Sequence, residues 1–278
     1  MGYWAVYKIQ SGNVVERYKV WKSGAPRTKR GTRMKGNSGL KKVESNKAGA
    51  IRRAARTLNA NYTHADLFLT LKYDDEHLPE DWESHERDRV LFLERIKKRL
   101  KKLGLPAAKC FSMCADKDGK TGREERRHVH VVLTGNGISF RDGLWYLGDE
   151  PLRDIWGKGS VYAEQLWDQD DYTGLAVYLL RQARSDKADW KAYHTSRNMI
   201  RPEPEPDGVA VTGRELRAPK GSVVVENHYD ARNGSCYIRY IRPRKASGNK
   251  NEERAELGTP SPSTRGKTKE MGRKGGGR

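Results

Sequence analysis

The sequence predicts an α+β chain: an antiparallel sheet with its helices on one face, flanked by β-hairpins and a basic tail. Three observations predict it. β-Branched and apolar runs with period-two alternation recur at 66–73, 108–115 and 127–134. Apolar residues at helical spacing occupy 84–103 and 172–183. Turn-forming residues separate these segments at every junction.

Taken in order, 3–9 and 14–21 are aromatic and β-branched runs joined by Ser11-Gly12-Asn13, a hairpin signature. Residues 22–43 hold eight basic residues and no acid, so this loop cannot pack by itself and gains order only against a polyanion. Ser45 is placed to cap a helix running to Asn59, with Ile51, Ala55 and Leu58 on one stripe. In 66–73, Leu67, Leu69 and Leu71 alternate with Phe68, Thr70 and Lys72, which predicts a central strand. The helix 84–103 buries Leu93, Ile96, Leu100 and Leu103 and stops at Gly104; its many lysines and arginines need be no more than a solvated face. A strand at 108–115, a polar turn over Asp116–Arg126 and a strand from Arg127 make a long-looped pair. A short helix at 150–156, a strand at 159–166 and a helix at 172–183 follow. This β-α-β-β-α-β-α order is that of a split βαβ, ferredoxin-like sheet.

Beyond the core, Arg201-Pro-Glu-Pro-Glu-Pro206 is an extended exit, and 222–226 with 236–241 forms another hairpin turning at Asn233-Gly234. From Arg244 to Arg278 ten basic and four acidic residues stand among Gly, Ser and Pro, the composition of a disordered tail. Four segments result: 1–61 (hairpin, basic loop and helix), 62–200 (the core), 201–243 (an extension) and 244–278 (the tail).

The formal net charge of +19 points to a polyanionic partner. Three cysteines, Cys110, Cys114 and Cys236, form no CxxC pair, which disfavours a disulfide framework or a cysteine zinc site and suits a reducing cytoplasm. No apolar run reaches the roughly 20 residues a membrane span needs. The expectation is a soluble, cytoplasmic protein without membrane contact.

His128 and His130 stand one residue apart in a strand, so they share a face and can converge on one cation. The bland reading is a polar pair on the wet side of a sheet. A cation needs a further ligand; Asp116 is the nearest attractive carboxylate, with Glu124 and Glu125 as alternatives. Two imidazoles, one oxygen and open positions suit Mn²⁺ and tolerate Mg²⁺, whereas structural zinc wants a fourth protein ligand that the sequence does not offer. In a basic protein such a cation meets a phosphate most naturally. Tyr178 is a candidate nucleophile, and Arg181 lies three residues on along the same helix. A lone aromatic in an apolar helix is more often core.

Leu69-Thr-Leu-Lys-Tyr73, His128-Val-His130 and Tyr178-Leu-Leu-Arg181-Gln182 together resemble the three ordered motifs of rolling-circle replication initiators, within the endonucleases named for paired histidines (HUH, U being hydrophobic). Ile155-Trp-Gly-Lys-Gly-Ser-Val161 resembles their segment between the second and third motifs. Ser196-Arg-Asn-Met199, Arg201-Pro-Glu-Pro204 and Ile9-Gln-Ser-Gly12 resemble flanking segments of phage and mobile-element replication proteins. The likeness covers roughly residues 1–243.

The resemblance implies an enzyme in which Tyr178 attacks a phosphodiester of single-stranded or hairpin origin DNA. The products are a 5′-phosphotyrosine link and a free 3′-OH primer, and the ends are later rejoined. It implies that His128 and His130 hold a divalent metal, Mn²⁺ or Mg²⁺, and that Arg181 replaces a lysine common in the family. The family's usual third ligand, a Glu, maps onto Ala115 or Asp116. Arg27, Lys29, Arg30, Arg33, Lys72, Arg127, Arg197 and Asn198 are the expected DNA contacts. No GxxxxGK[ST] is present, so a host helicase and a host polymerase are the expected partners. The alternatives are a related relaxase or transposase, and a ferredoxin-like nucleic-acid-binding protein without catalysis.

Overall fold

The period-two runs form strands and the 3.6-period runs form helices. In chain order these are β1 (Tyr3–Ser11), β2 (Val14–Lys22), α1 (Leu40–Asn61), β3 (Leu67–Tyr73), α2 (Trp82–Lys102), β4 (Cys110–Lys117), β5 (Glu124–Leu133), β6 (Ile138–Arg141), β7 (Leu144–Leu147), β8 (Glu150–Pro151), α3 (Leu152–Trp156), β9 (Gly159–Gln165), α4 (Thr173–Gln182), β10 (His194–Thr195), β11 (Glu205–Ala210), β12 (Val223–Asp230) and β13 (Ser235–Ile241). The computed structural model describes residues 2–23, 40–183, 191–210 and 214–244, with only the backbone of 40–45. All belong to one compact unit, Met1–Lys245. The expected basic tail lies, from 245 on, outside the described residues.

The fold is α+β and its sheets are antiparallel. The central sheet has the order β10-β4-β5-β3-β9. Its helices lie on both faces, which corrects the expectation of one. Leu67, Leu69, Leu71, Val129, Val131 and Leu133 point to one side, where Phe92, Ile96 and Leu100 of α2 and Ile155 and Trp156 of α3 meet them. Phe111, Met113, Ala115, Val132 and Phe68 point to the other, against Ala54, Ala55 and Leu58 of α1 and Ala176, Leu179 and Leu180 of α4. Both sets of alternate positions along β3, β4 and β5 carry apolar residues, so each face needs a cover. The small contacts Ala54 and Ala176, both fully buried, let α1 and α4 pack together.

α1 begins at Leu40, five residues before Ser45, so the helix takes in the end of the expected basic loop. α2 is capped by Asp81, whose carboxylate accepts the Ser84 N–H at 2.6 Å. A further three-stranded sheet, β6-β7-β8, fills 138–151, where the sequence predicts only the start of a short helix at 150–156. It turns at Asp142-Gly143, both with positive φ.

The hairpins at the two ends of the chain combine. β2 pairs with β13, and the sheet β11-β1-β2-β13-β12 joins residues expected to form the separate segments 1–61 and 201–243. One of its faces packs on α1 and the start of α4. Arg56 there grips Glu16 with two bonds of 2.6 and 2.7 Å, and Arg239 donates to Thr173 Oγ1 at 2.7 Å. The second sheet therefore backs the two helices that cover the histidine side of the central sheet.

Candidate active site

β5 presents His128 and His130 on the α1/α4 face, both buried. Each ring is fixed from behind. His128 Nδ1–H donates to the Arg126 carbonyl at 2.9 Å, which leaves Nε2 with its lone pair outward. His130 Nδ1 lies 3.1 Å from Thr70 Oγ1, and Phe68 stacks on the ring at a 5.1 Å centroid distance. Burial, with the His128 charge next, pushes the His130 pKa down to about 3, so at neutral pH this imidazole is uncharged and free to act as a ligand. From the opposite face the fully buried His85 of α2 lies with Nε2 3.1 Å from the His128 carbonyl oxygen, tying α2 to β5 at this point.

The two Nε2 atoms are 3.1 Å apart, and Gln182 Oε1 lies 3.1 Å from each. Gln182 Nε2 donates to the Tyr178 carbonyl at 3.3 Å, which orients the amide with its oxygen toward the histidines. These three polar atoms form a triangle with equal edges. Atoms this close need something positive between them, a condition met either by a proton on one imidazole Nε2 or by a cation. Two imidazole nitrogens and one amide oxygen could hold a divalent cation whose remaining positions are filled by other oxygens.

Asp116 does not join this triangle. Ala115 pairs with His128 and so shares its face; Asp116 is the next residue, out of that alternation, where the register shifts before Lys117. Its Oδ1 is buried without a hydrogen-bond partner. Among the described residues no three His, Cys, Asp or Glu side chains converge on a common point. The third atom of the triangle is the amide oxygen of Gln182.

Tyr178 stands one turn before Gln182 on α4, half-buried, its ring 5.8 Å from that of His130 and edge-on to Phe68 at 6.3 Å. Gly119, in the β4–β5 turn, closes over the ring: a Cβ there would come within 2.5 Å of Tyr178 Cε2. Burial pushes the Tyr178 pKa up, the Gln182 side chain opposes this, and the carboxylates of Glu125, Asp118 and Glu164 add to the rise. The phenol is therefore protonated at neutral pH. Tyr172, six residues upstream, is buried and donates its hydroxyl to the Trp167 carbonyl, away from the triangle. Arg181 is exposed.

The expected DNA contacts divide. Lys72 is exposed on the histidine face, beside His128 in the sheet, with Nζ 5.2 Å from the Tyr162 ring centroid. Arg127 donates to the Pro79 carbonyl. Arg197 and Asn198 lie elsewhere, lining an open cavity of about 590 Å³ between α2 and the β4–β10 edge, together with Arg89, Leu93 and Cys110. Asn198 is tied down there by the Ala107 carbonyl at 3.0 Å. Arg27, Lys29, Arg30 and Arg33 lie outside the described residues.

No family model, curated protein or solved structure matches this chain. The site must be read from its own geometry. Among the described residues, no helix is long and apolar enough to cross a membrane.

Proposed function

We propose that this protein is a metal-dependent DNA strand transferase of the paired-histidine type, nicking single-stranded origin DNA to initiate rolling-circle replication. The observation that carries the reading is the 3.1 Å triangle of His128, His130 and Gln182 with Tyr178 one helical turn away on the same α4 face. The central strand order β4-β5-β3-β9, with α2 and α3 as its crossovers, also supports a split βαβ, ferredoxin-like core of the kind this chemistry uses.

His128, His130 and Gln182 would hold Mn²⁺ or Mg²⁺, which would supply Lewis acidity toward a non-bridging phosphate oxygen. Tyr178 Oη attacks phosphorus: the O–P bond forms, the bond to the 3′ oxygen breaks, and the 3′ oxygen leaves as a hydroxyl while the phenol loses its proton. Phe68, His130 and Gly119 hold the ring in place, so little orientational freedom remains to be lost at the attack. Arg181, permanently charged, faces solvent where a phosphate enters. The phosphotyrosine bond keeps the energy of the broken diester, so a 3′-OH can reverse the step without ATP. A host helicase and polymerase supply unwinding and synthesis.

The test is a denaturing gel of protein mixed with hairpin-bearing single-stranded oligonucleotides and Mn²⁺. A covalent adduct is expected with the wild-type protein and none with Tyr178→Phe. An adduct surviving in that variant removes Tyr178 from the role. No adduct across a hairpin library leaves a nucleic-acid-binding protein without catalysis.

A further inference from the structure

The histidine face of the central sheet is covered unevenly. α1 and α4 close it over β4 and β5, where Phe111, Met113, Ala115 and Val132 are buried. Over the edge strand β9 it is open: Ser160, Tyr162 and Glu164 are all exposed. Register links the two halves. His130 pairs with Thr70, and Thr70 pairs with Tyr162; one row beyond, His128 pairs with Lys72 and Lys72 with Ser160. Paired residues of an antiparallel sheet point to the same side, so Tyr162 stands on the face of the triangle, two strands or about 10 Å away.

Tyr162 is 61% exposed, a large open ring on the sheet face beside the buried histidines. Among the described residues its hydroxyl makes no hydrogen bond, and its ring meets the Lys72 ammonium, 5.2 Å from the centroid. An open ring with a cation at its side matches the two surfaces of a nucleotide, a flat base and a negative phosphate. Glu164, two residues along on the same face, repels phosphate and directs the backbone toward the Lys72 end.

We infer that Tyr162 and Lys72 form a nucleotide-binding shelf, on which one unpaired base of the DNA strand stacks on the Tyr162 ring while an adjoining phosphate meets Lys72. The inference rests on the proposed single-strand substrate, and it gives that strand a path: across β3 from the nucleophile to the β9 edge. Because a ring face accepts any base, the shelf demands an unpaired nucleotide rather than a particular sequence.

The test measures binding without cleavage, in EDTA. Two probes are compared by fluorescence polarisation: an oligothymidylate of about 20 nucleotides and an abasic strand of equal length, both longer than one such module covers. The wild-type protein should prefer the base-bearing strand. Tyr162→Ala should weaken that strand by about tenfold and leave the abasic strand nearly unchanged, while Tyr162→Phe keeps the preference. Lys72→Met should weaken both strands alike. If Tyr162→Ala keeps the base preference, or weakens both probes equally, the shelf is disproved. Tyr178→Phe should retain the base preference while losing the adduct. A preference that vanishes with Tyr162→Ala in a protein that never forms an adduct would keep the shelf and sink the nickase.

Discussion

Gln182 holds the decisive position in the triangle, and its role depends on one atom. If Oε1 is a ligand, Gln182→Leu, similar in size but without a donor, should raise the Mn²⁺ concentration for half-maximal adduct by at least about tenfold. Gln182→Glu places an oxygen at the same reach and should keep metal dependence near the wild-type level. An unchanged Mn²⁺ midpoint in the leucine variant would leave the two histidines as the whole protein ligand set. The relation of Tyr178 to Gln182 was legible in the sequence, because residues four apart share a helix face. The attraction of Asp116 came from its nearness along the chain. What sets it apart from the triangle is the pairing of Ala115, not Asp116, with His128, and the shift in register that follows is a property of two strands together rather than of one.

At the scale of elements, α2 reaches β5 through His85, which contacts the His128 carbonyl amid the rings of Tyr73 and Trp82. Burial drives the His85 pKa down to about 3 from an ordinary 6.5, as it does for His130. The folded state therefore resists protonation that the unfolded chain accepts. In the metal-free protein this contribution is complete above pH 6.5 and declines as pH falls toward 3, with a slope approaching about 1.4 kcal/mol per pH unit for each histidine. His85→Phe suits the apolar surroundings but loses the hydrogen bond to the carbonyl, costing about 0.5–1.5 kcal/mol at pH 7. Urea midpoints of the two proteins should converge as pH is lowered from 7 to 4; a constant gap would mean that His85 does not stay neutral when folded. Most elements were legible as periodic runs. The second helical layer was not, although Phe111 and Met113 on one face of β4 and Cys110 and Cys114 on the other already showed two apolar sides. The β6–β7 hairpin also had its signal in Asp142-Gly143.

At the scale of the whole molecule, the charge of +19 is a long-range property that most of the described contacts do not use. The ten basic and four acidic residues of 244–278 should add salt-sensitive backbone affinity, about 0.7 in log–log slope for each phosphate neutralised on a single strand. Removing residues after Arg244 should flatten the salt dependence of binding and leave the cleavage position where it was. A shifted cut would show that the tail reads sequence. The joining of the terminal hairpins was beyond any local pattern: Tyr18 pairs with Tyr237, and no window of sequence spans both. That pairing also has a consequence for biosynthesis. A ribosome adding about 5–20 residues per second needs roughly 10–45 s to pass from one partner to the other. Throughout that interval the β2 edge stands without its neighbour while the central sheet is being made. Its run Val14–Lys22 carries Glu16, Arg17, Lys19 and Lys22, charges that discourage a second nascent chain from pairing there first.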